Sequence, residues 1–193
     1  VVLTPRDLPS TCIKLADAGK HIFMDKQFAR TSNDLIPLVK AVKRSGVKTF
    51  LGYPWSFHPA ARDIKKLLDD GILGRPLDIE SHQFAGQRGP GQGDPNHVGF
   101  KNDTEGGGVL HYIGCHHLSL MRSMMGCEVK SVIAMTGRPL GYIEDPLEDI
   151  AIMAMEYENG ALGSLHDGYT KPQAFRGGPH GYESAFIVRG TEG

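Results

Sequence analysis

The sequence predicts an α/β chain in two parts: the C-terminal half of a doubly wound parallel sheet, then a mostly antiparallel open sheet with a helical layer. Three observations carry this. Strand-like and helix-like segments take turns from Val1 to Tyr53, which requires crossover connections and hence parallel strands. Beyond Met125 the apolar residues of "VKSVIAM", "EDIAIMAMEYENGALGSLHDGYT" and "ESAFIVRG" recur with period two, the pattern of strands with one buried face. Within the second of those runs stands Asn159-Gly160, a strong hairpin signal.

Taken in order, "VVL" reads as a first short strand, followed by a helix from about Ser10, its N-cap, to Ala18, with Gly19 ending it. "HIFMD" is the next strand. Thr31 or Ser32 caps a helix over Ser32 to Ser45, Gly46 closes it, and "KTFLGY" returns as a third strand. Parallel strands are normally covered on both sides, whereas these begin flush at Val1, so the first half of the sheet is expected upstream. The boundary falls between Gly52 and Pro59, dividing the chain into residues 1–53 and 54–193.

In the second part, "PAARDIKKLLDDG" is an amphipathic helix with Ile64, Leu67 and Leu68 on one face. "PLDIESHQF" alternates as a strand, and "AGQRGPGQGDPNHVGF" has the glycine and proline density of a loop. A helix is expected from about Glu105 to Met125, its Met121, Met124 and Met125 packing against the sheet. The chain stops in strand-like "VRGTEG", so its C-terminal end reads as incomplete.

With 193 residues, 40% of them hydrophobic, and a formal net charge of −1, there is apolar material for one sizeable core or two small ones. No window approaches the run of about 18 apolar residues that a membrane helix needs. Basic pairs such as Lys43-Arg44 and Lys65-Lys66 are isolated and balanced by acids, which argues against nucleic acid or membrane as partner. Cys12, Cys115 and Cys127 are odd in number and lack CxxC spacing, the usage of reduced thiols in a cytoplasmic compartment.

Chemistry concentrates at two places. Ligands bind beyond the carboxyl ends of parallel strands, which draws attention to Thr4, Pro5 and Lys26, just after "VVL" and "HIFMD". On the helix, Tyr112 and His116 are four residues apart and share a face. His111 and His116 diverge by about 140° on an α-helix, poor geometry for a shared metal, and His111 with Cys115 makes only half a zinc site. No metal is expected. The glycines of "EGGGVL" allow close approach to a helix N-terminus whose free N–H groups suit an anionic or carbonyl ligand. The other glycine-rich loop, Gly86 to Gly93, lacks the GK[ST] ending of a phosphate loop and reads as a rim.

Four segments, "TPRDLPSTCIKLADAGKHIFMDKQFART", "SGVKTFLGYPWSFHPAARDIKKLLDDGILGRP", "EGGGVLHYIGCHHLSLMRSMMG" and "EDIAIMAMEYENGALGSLHDGY", are together similar to the glucose-fructose oxidoreductase, inositol dehydrogenase and MocA (Gfo/Idh/MocA) family. The resemblance implies a partial Rossmann dinucleotide-binding domain over 1–53 and a substrate-binding α/β domain over 54–193. It implies NAD or NADP as cofactor, a sugar-like substrate, and a homo-oligomer joined through the second-domain sheet. The implied reaction is hydride transfer between nicotinamide and a secondary alcohol of a sugar or cyclitol. Asp25-Lys26-Gln27 stands where the family has Glu-Lys-Pro, and Tyr112 and His116 where it has Asp and His. By that match Lys26, His116 and Tyr112 are catalytic, and Thr4, Pro5, Asp25 and Lys26 hold the cofactor. Ser56 replaces the family's arginine, and no GxGxxG loop occurs in these residues. Two other readings stay open: an NAD-dependent glycosidase of the same superfamily, and a cofactor-free binding or dimerisation module.

Overall fold

A computed structural model of the chain describes residues 1–86, 107–139, 147–170 and 182–193. Helices α1 (Leu8–Asp17) and α2 (Ser32–Ser45) alternate with strands β1 (Ile22–Asp25) and β2 (Thr49–Gly52). The two strands pair in parallel, Ile22 opposite Thr49 and Asp25 opposite Gly52. Leu8, Cys12 and Ala16 of α1, Leu38 and Ala41 of α2, and Ile22 and Met24 of β1 close a first core beneath them. The parallel α/β arrangement is thus as expected.

Local signals fixed α2 best. Thr31 Oγ1 accepts the Asp34 N–H at 3.3 Å while Asp34 Oδ2 accepts the Thr31 N–H at 3.0 Å, a reciprocal capping box, and Gly46 ends the helix at φ 67°. Two expectations at the chain's start are corrected. "VVL" is not a strand: Val1 makes two backbone hydrogen bonds beside β1, from its amino group to Phe23 O and from Asp25 N–H to its own carbonyl, and the ladder goes no further. Nor is Ser10 an N-cap. The Thr4 carbonyl accepts the N–H groups of both Asp7 and Leu8 at 3.0 Å, so the N-cap is Asp7, three residues earlier, and Pro9 sits in the first helical turn.

A 3₁₀ turn over Pro54–Phe57 leads into α3 (Pro59–Asp69), whose Ile64 and Leu68 pack on the second core while Leu67 stays exposed. Strand β3 (Pro76–Gly86), helix α4 (Cys115–Met125) and strands β4 (Val129–Gly137), β5 (Ile150–Tyr157), β6 (Leu162–Thr170) and β7 (Tyr182–Gly190) complete the chain. The sheet order is β4-β5-β6-β3-β7, with β3 parallel to β6 and every other pairing antiparallel. The open, mostly antiparallel sheet is therefore present. Asn159-Gly160 makes its hairpin through a three-residue loop: Gly160 N–H bonds Tyr157 O at 2.9 Å, and Gly160 takes φ 84°.

Along β5 and β6, Ala151, Met155 and Tyr157, then Leu165, Asp167 and Tyr169, face inward. Leu120, Met121, Met124 and Met125 of α4 meet that face, as the methionine spacing implied. The expected helix from Glu105 is shorter and less regular. Glu105 and Gly106 lie outside the described residues, Leu110–Gly114 form a π-turn, and only from Cys115 is the helix regular.

Candidate active site

Strand β1 delivers Asp25 and Lys26 to its carboxyl end, β2 delivers Gly52, and the 3₁₀ turn swings Tyr53, Pro54 and Phe57 across them. From the other lobe α4 presents His116. These seven residues, with Phe23 and Phe50, line one cavity of about 620 Å³. Lys26 and His116 are 90 residues apart in sequence and share a wall because α4 lies across the ends of β1 and β2.

Lys26 is held from beneath. Its Nζ donates to the Tyr112 carbonyl at 3.0 Å and sits 3.7 Å from the centre of the Tyr112 ring, a cation–π contact. An ammonium has three donors, so one such bond leaves others for a ligand. Burial lowers the Lys26 pKa from its ordinary 10.5, opposed by the neighbouring Cys115 and Asp25. Asp25 Oδ1 accepts the Lys26 N–H at 2.9 Å, which ties down the strand end one residue before Gln27, where the family has proline.

His116 is boxed by aromatic rings: Trp55 stacks at 5.9 Å with 24° between planes, and Tyr53 meets it edge-on at 5.8 Å. Its Nδ1 is buried with no hydrogen-bond partner among the described residues. Burial, and then the positive charge of Lys26, push its pKa down to about 4, well below the 6.5 of a free imidazole, so the ring is neutral at neutral pH. The same environment pushes the Tyr53 phenol up to about 12 and the Cys115 thiol up to about 11, burial leading in both.

Tyr112 does not sit as a uniform helix would place it. The π-turn adds a residue to the turn that carries it, and π-turns inside α-helices recur at functional sites. Tyr112 serves Lys26 rather than the orphaned Nδ1 of His116. Thr4 and Pro5 are not among the residues lining the cavity; they form the turn into α1.

The helix N-terminus at "EGGGVL" does not await a ligand. Glu148 Oε1 accepts the Leu110 N–H at 2.9 Å, and the Glu148 carbonyl accepts the Val109 N–H at 3.1 Å. A Cβ on Gly108 would collide with that carboxylate, so the glycine makes room for an internal cap. The Gly86–Gly93 rim, apart from Gly86 itself, lies outside the described residues.

Sequence reasoning missed the aromatic wall of Tyr53, Trp55 and Phe57. Its signal was the density of rings in "GYPWSFHP", directly after a strand end. An apolar groove of about 630 Å³ adjoins this wall between α3, α4 and β7, with His58 the one titratable side chain among the described residues that line it.

Residues 61–193 match the GFO/IDH/MocA C-terminal domain. Over its whole length the chain is 27% identical to 2,7-anhydro-N-acetylneuraminate hydratase of Escherichia coli (strain K12), covering 49% of that protein. It is 28% identical to scyllo-inositol 2-dehydrogenase (NAD(+)) of Bacillus subtilis (strain 168), again over all of this chain and 53% of the relative. The crystal structure of the WlbA dehydrogenase from Bordetella pertussis, in complex with NADH and UDP-GlcNAcA, superposes with a TM-score of 0.83 at 25% identity, over 98% of this chain and 52% of that one. The chain spans about half the length of the curated relatives it matches. With two thirds of its residues matched to that family's C-terminal domain, and the parallel α/β unit in front of it, the chain belongs to the Gfo/Idh/MocA family.

Proposed function

We propose that the protein carrying this chain is an NAD(P)-dependent oxidoreductase that moves a hydride between nicotinamide and a secondary alcohol of a sugar or cyclitol. One observation carries the reading: an ammonium from a parallel strand end and a neutral imidazole from the opposite lobe line the same cavity. Its place beyond the carboxyl ends of β1 and β2 is where open α/β sheets take ligands. The residues present fit the nicotinamide end of a dinucleotide. Phe23 and Phe50, stacked on each other at 5.2 Å, turn an exposed aromatic surface to the cavity, and Gly52 adds no side chain where a Cβ would stand 3.3 Å from Met24 O. Asp25 and Lys26 would hold it there; Thr4 and Pro5 are assigned to the cofactor by family resemblance alone.

When bound, the nicotinamide supplies the carbon that gives or takes the hydride. Everything else falls to this chain. Lys26 binds the substrate oxygen with its free N–H donors and stabilises the negative charge that grows there as the O–H proton leaves. His116 accepts that proton. Its low proton affinity in the cavity keeps it unprotonated, and a developing alkoxide beside it raises that affinity when transfer occurs. Tyr112 positions Lys26 through its carbonyl and ring. The wall of Tyr53, Trp55 and Phe57 orients the imidazole and excludes water.

Titration of the full-length protein with NADH and NADPH, followed by ring-to-nicotinamide fluorescence transfer, should give saturable binding to at least one. Turnover is then sought with inositols and pyranoses through nicotinamide absorbance. Absence of saturable binding to either dinucleotide would sink the reading.

We also infer that the outer face of the five-stranded sheet pairs with a second copy of the chain. Ile133, Met135, Ile152 and Leu162 stand there 76%, 77%, 53% and 60% exposed, with Met135 opposite Ile152 across β4 and β5. Ile133, Met135 and Ile152 adjoin one another there, and an exposed apolar patch of this kind calls for cover. Light scattering should return a multimer that Ile133→Lys with Met135→Lys converts to monomer. The three thiols, all unpaired, support a reducing cytoplasm.

A further inference from the structure

Beneath α4, on the side away from the cavity, lies a polar cluster that the proposed reaction leaves unused. His117 and Asp167 are fully buried and Ser81 is 3% exposed. Ser81 Oγ stands 2.6 Å from His117 Nδ1, and Asp167 Oδ1 3.4 Å from the same nitrogen. The Gln83 backbone N–H bears on the Asp167 carboxyl, but among the described residues neither of its oxygens nor His117 Nε2 completes a hydrogen bond. Polar groups left half-satisfied in a core cost stability that apolar side chains of similar size would not. Three of them at one point, drawn from β3, α4 and β6, need a reason beyond folding.

The reason lies in what the cluster holds. Trp55 packs on the His117 ring at 4.9 Å and lies over His116 at 5.9 Å, so one indole bridges both imidazoles. Phe186 closes the far side of His117 at 5.3 Å. A Cβ on Gly114 would stand 3.1 Å from Asp167 Oδ2, so the carboxyl group lies directly under the end of the π-turn, two residues before His116. The cluster thus pins the backbone that enters α4 and the aromatic plate that orients the His116 ring.

Resting on the reading of His116 as the proton acceptor, we propose that Ser81, His117 and Asp167 are positioning residues that fix the orientation of His116. Burial pushes the Asp167 carboxyl up to about 7 and holds His117 down to about 3, so the pair is uncharged between those two values. While Asp167 keeps its proton, His117 Nδ1 is free to accept from Ser81. Once Asp167 ionises, the carboxylate draws the imidazole proton to Nδ1, and His117 changes tautomer. Among the described residues, the other titratable groups that bear on the cluster are His116 and Cys115 on α4 and His82 on β3.

The test uses the full-length protein in four variants: Ser81→Ala, Ser81→Thr, Asp167→Asn and His116→Gln. Ser81→Ala is expected to lower kcat about tenfold, the worth of one buried hydrogen bond, and Asp167→Asn, which cannot ionise, to change kcat only above about pH 7, both with the dinucleotide Kd unchanged. Ser81→Thr, which keeps the hydroxyl, restores kcat. Nitrogen NMR of the imidazoles should show His117 exchanging tautomers with a midpoint near 7, the His116 ring signals following, and both responses vanishing in Asp167→Asn. A cluster that only stabilised the fold would lower the melting temperature and leave kcat and the His116 signals unmoved; that result overturns the proposal. Should Asp167→Asn fail to fold, Ser81→Ala decides, since it removes a single oxygen. Activity surviving in His116→Gln instead removes the acceptor itself, and the proposal falls with the reading beneath it.

Discussion

His116 and His117 are neighbours on one helical turn, yet α4 gives them opposite surroundings. A step of one residue rotates a side chain by about 100°. On one side that rotation meets the open ends of β1 and β2 with Lys26; on the other it meets the inward face of β3 and β6 with Ser81 and Asp167. Both rings are made less basic chiefly by burial. What separates them is access: His116 faces a cavity of about 620 Å³, while His117 is sealed by Trp55 and Phe186. Ring chemistry alone therefore does not assign a role, and the element lying opposite does.

The sharpest way to break this comparison is through the open face. Lys26→Ala removes the ammonium offered to a developing alkoxide and should cost about 10²- to 10³-fold in kcat, the scale of one electrostatic donor at the reacting oxygen. His116→Gln should cost about 10²-fold, as loss of a positioned base does. His117→Gln keeps a polar group against Ser81 and should cost far less than His116→Gln. All three are measured as nicotinamide-linked turnover of the full-length protein. Equal losses for the two histidine variants would mean that access does not distinguish them.

Residues at short range were legible in the sequence. Thr31 was one of the two N-caps the sequence offered for α2, and the run from Pro59 announced α3, because the signals lie within one helical turn of the helix they start. The pairing of Lys26 with His116 was reached only through family resemblance, since nothing local ties two residues in different lobes. The π-turn over Leu110–Gly114 left no sequence signal, and it put Tyr112 on Lys26 instead of beside His116. "VVL" looked like a strand but a strand is completed by its neighbours, and here β1 supplies only two backbone bonds. Ser81, 36 residues from His117, was invisible for the same reason.

Acid should expose both faces at once, with a smaller effect. His116 and His117 have folded pKa values near 4 and 3 against an ordinary 6.5, so between about pH 6.5 and 4 the unfolded chain binds two protons that the folded chain refuses. Their stabilisation is complete above pH 6.5 and is lost on acidification. Asp167 runs the other way: raised from 3.8 to about 7, it holds a proton when folded that the unfolded chain releases, and its contribution fades as pH rises through that window. Two groups against one leave a net loss of stability toward acid. Urea midpoints measured between pH 7 and pH 4.5 should fall, and fall more steeply in Asp167→Asn, where the opposing group is gone.

The smallest expected effect concerns how the helix is mounted rather than what it carries. Gly108 is absent from the positions with positive φ, so alanine there meets no backbone strain. It meets the Glu148 carboxylate, which caps the Leu110 N–H. Gly108→Ala should therefore displace the cap and cost about 1 kcal/mol, the usual worth of an N-terminal cap, or about 2–4 °C in Tm for a chain of this size. Glu148→Ala should cost a similar amount. The two losses should not add, because once the carboxylate is gone the new methyl group fills the space it left. Thermal unfolding of the two single variants and the double variant measures the coupling. Strict additivity would show that Gly108 is glycine for some reason other than Glu148.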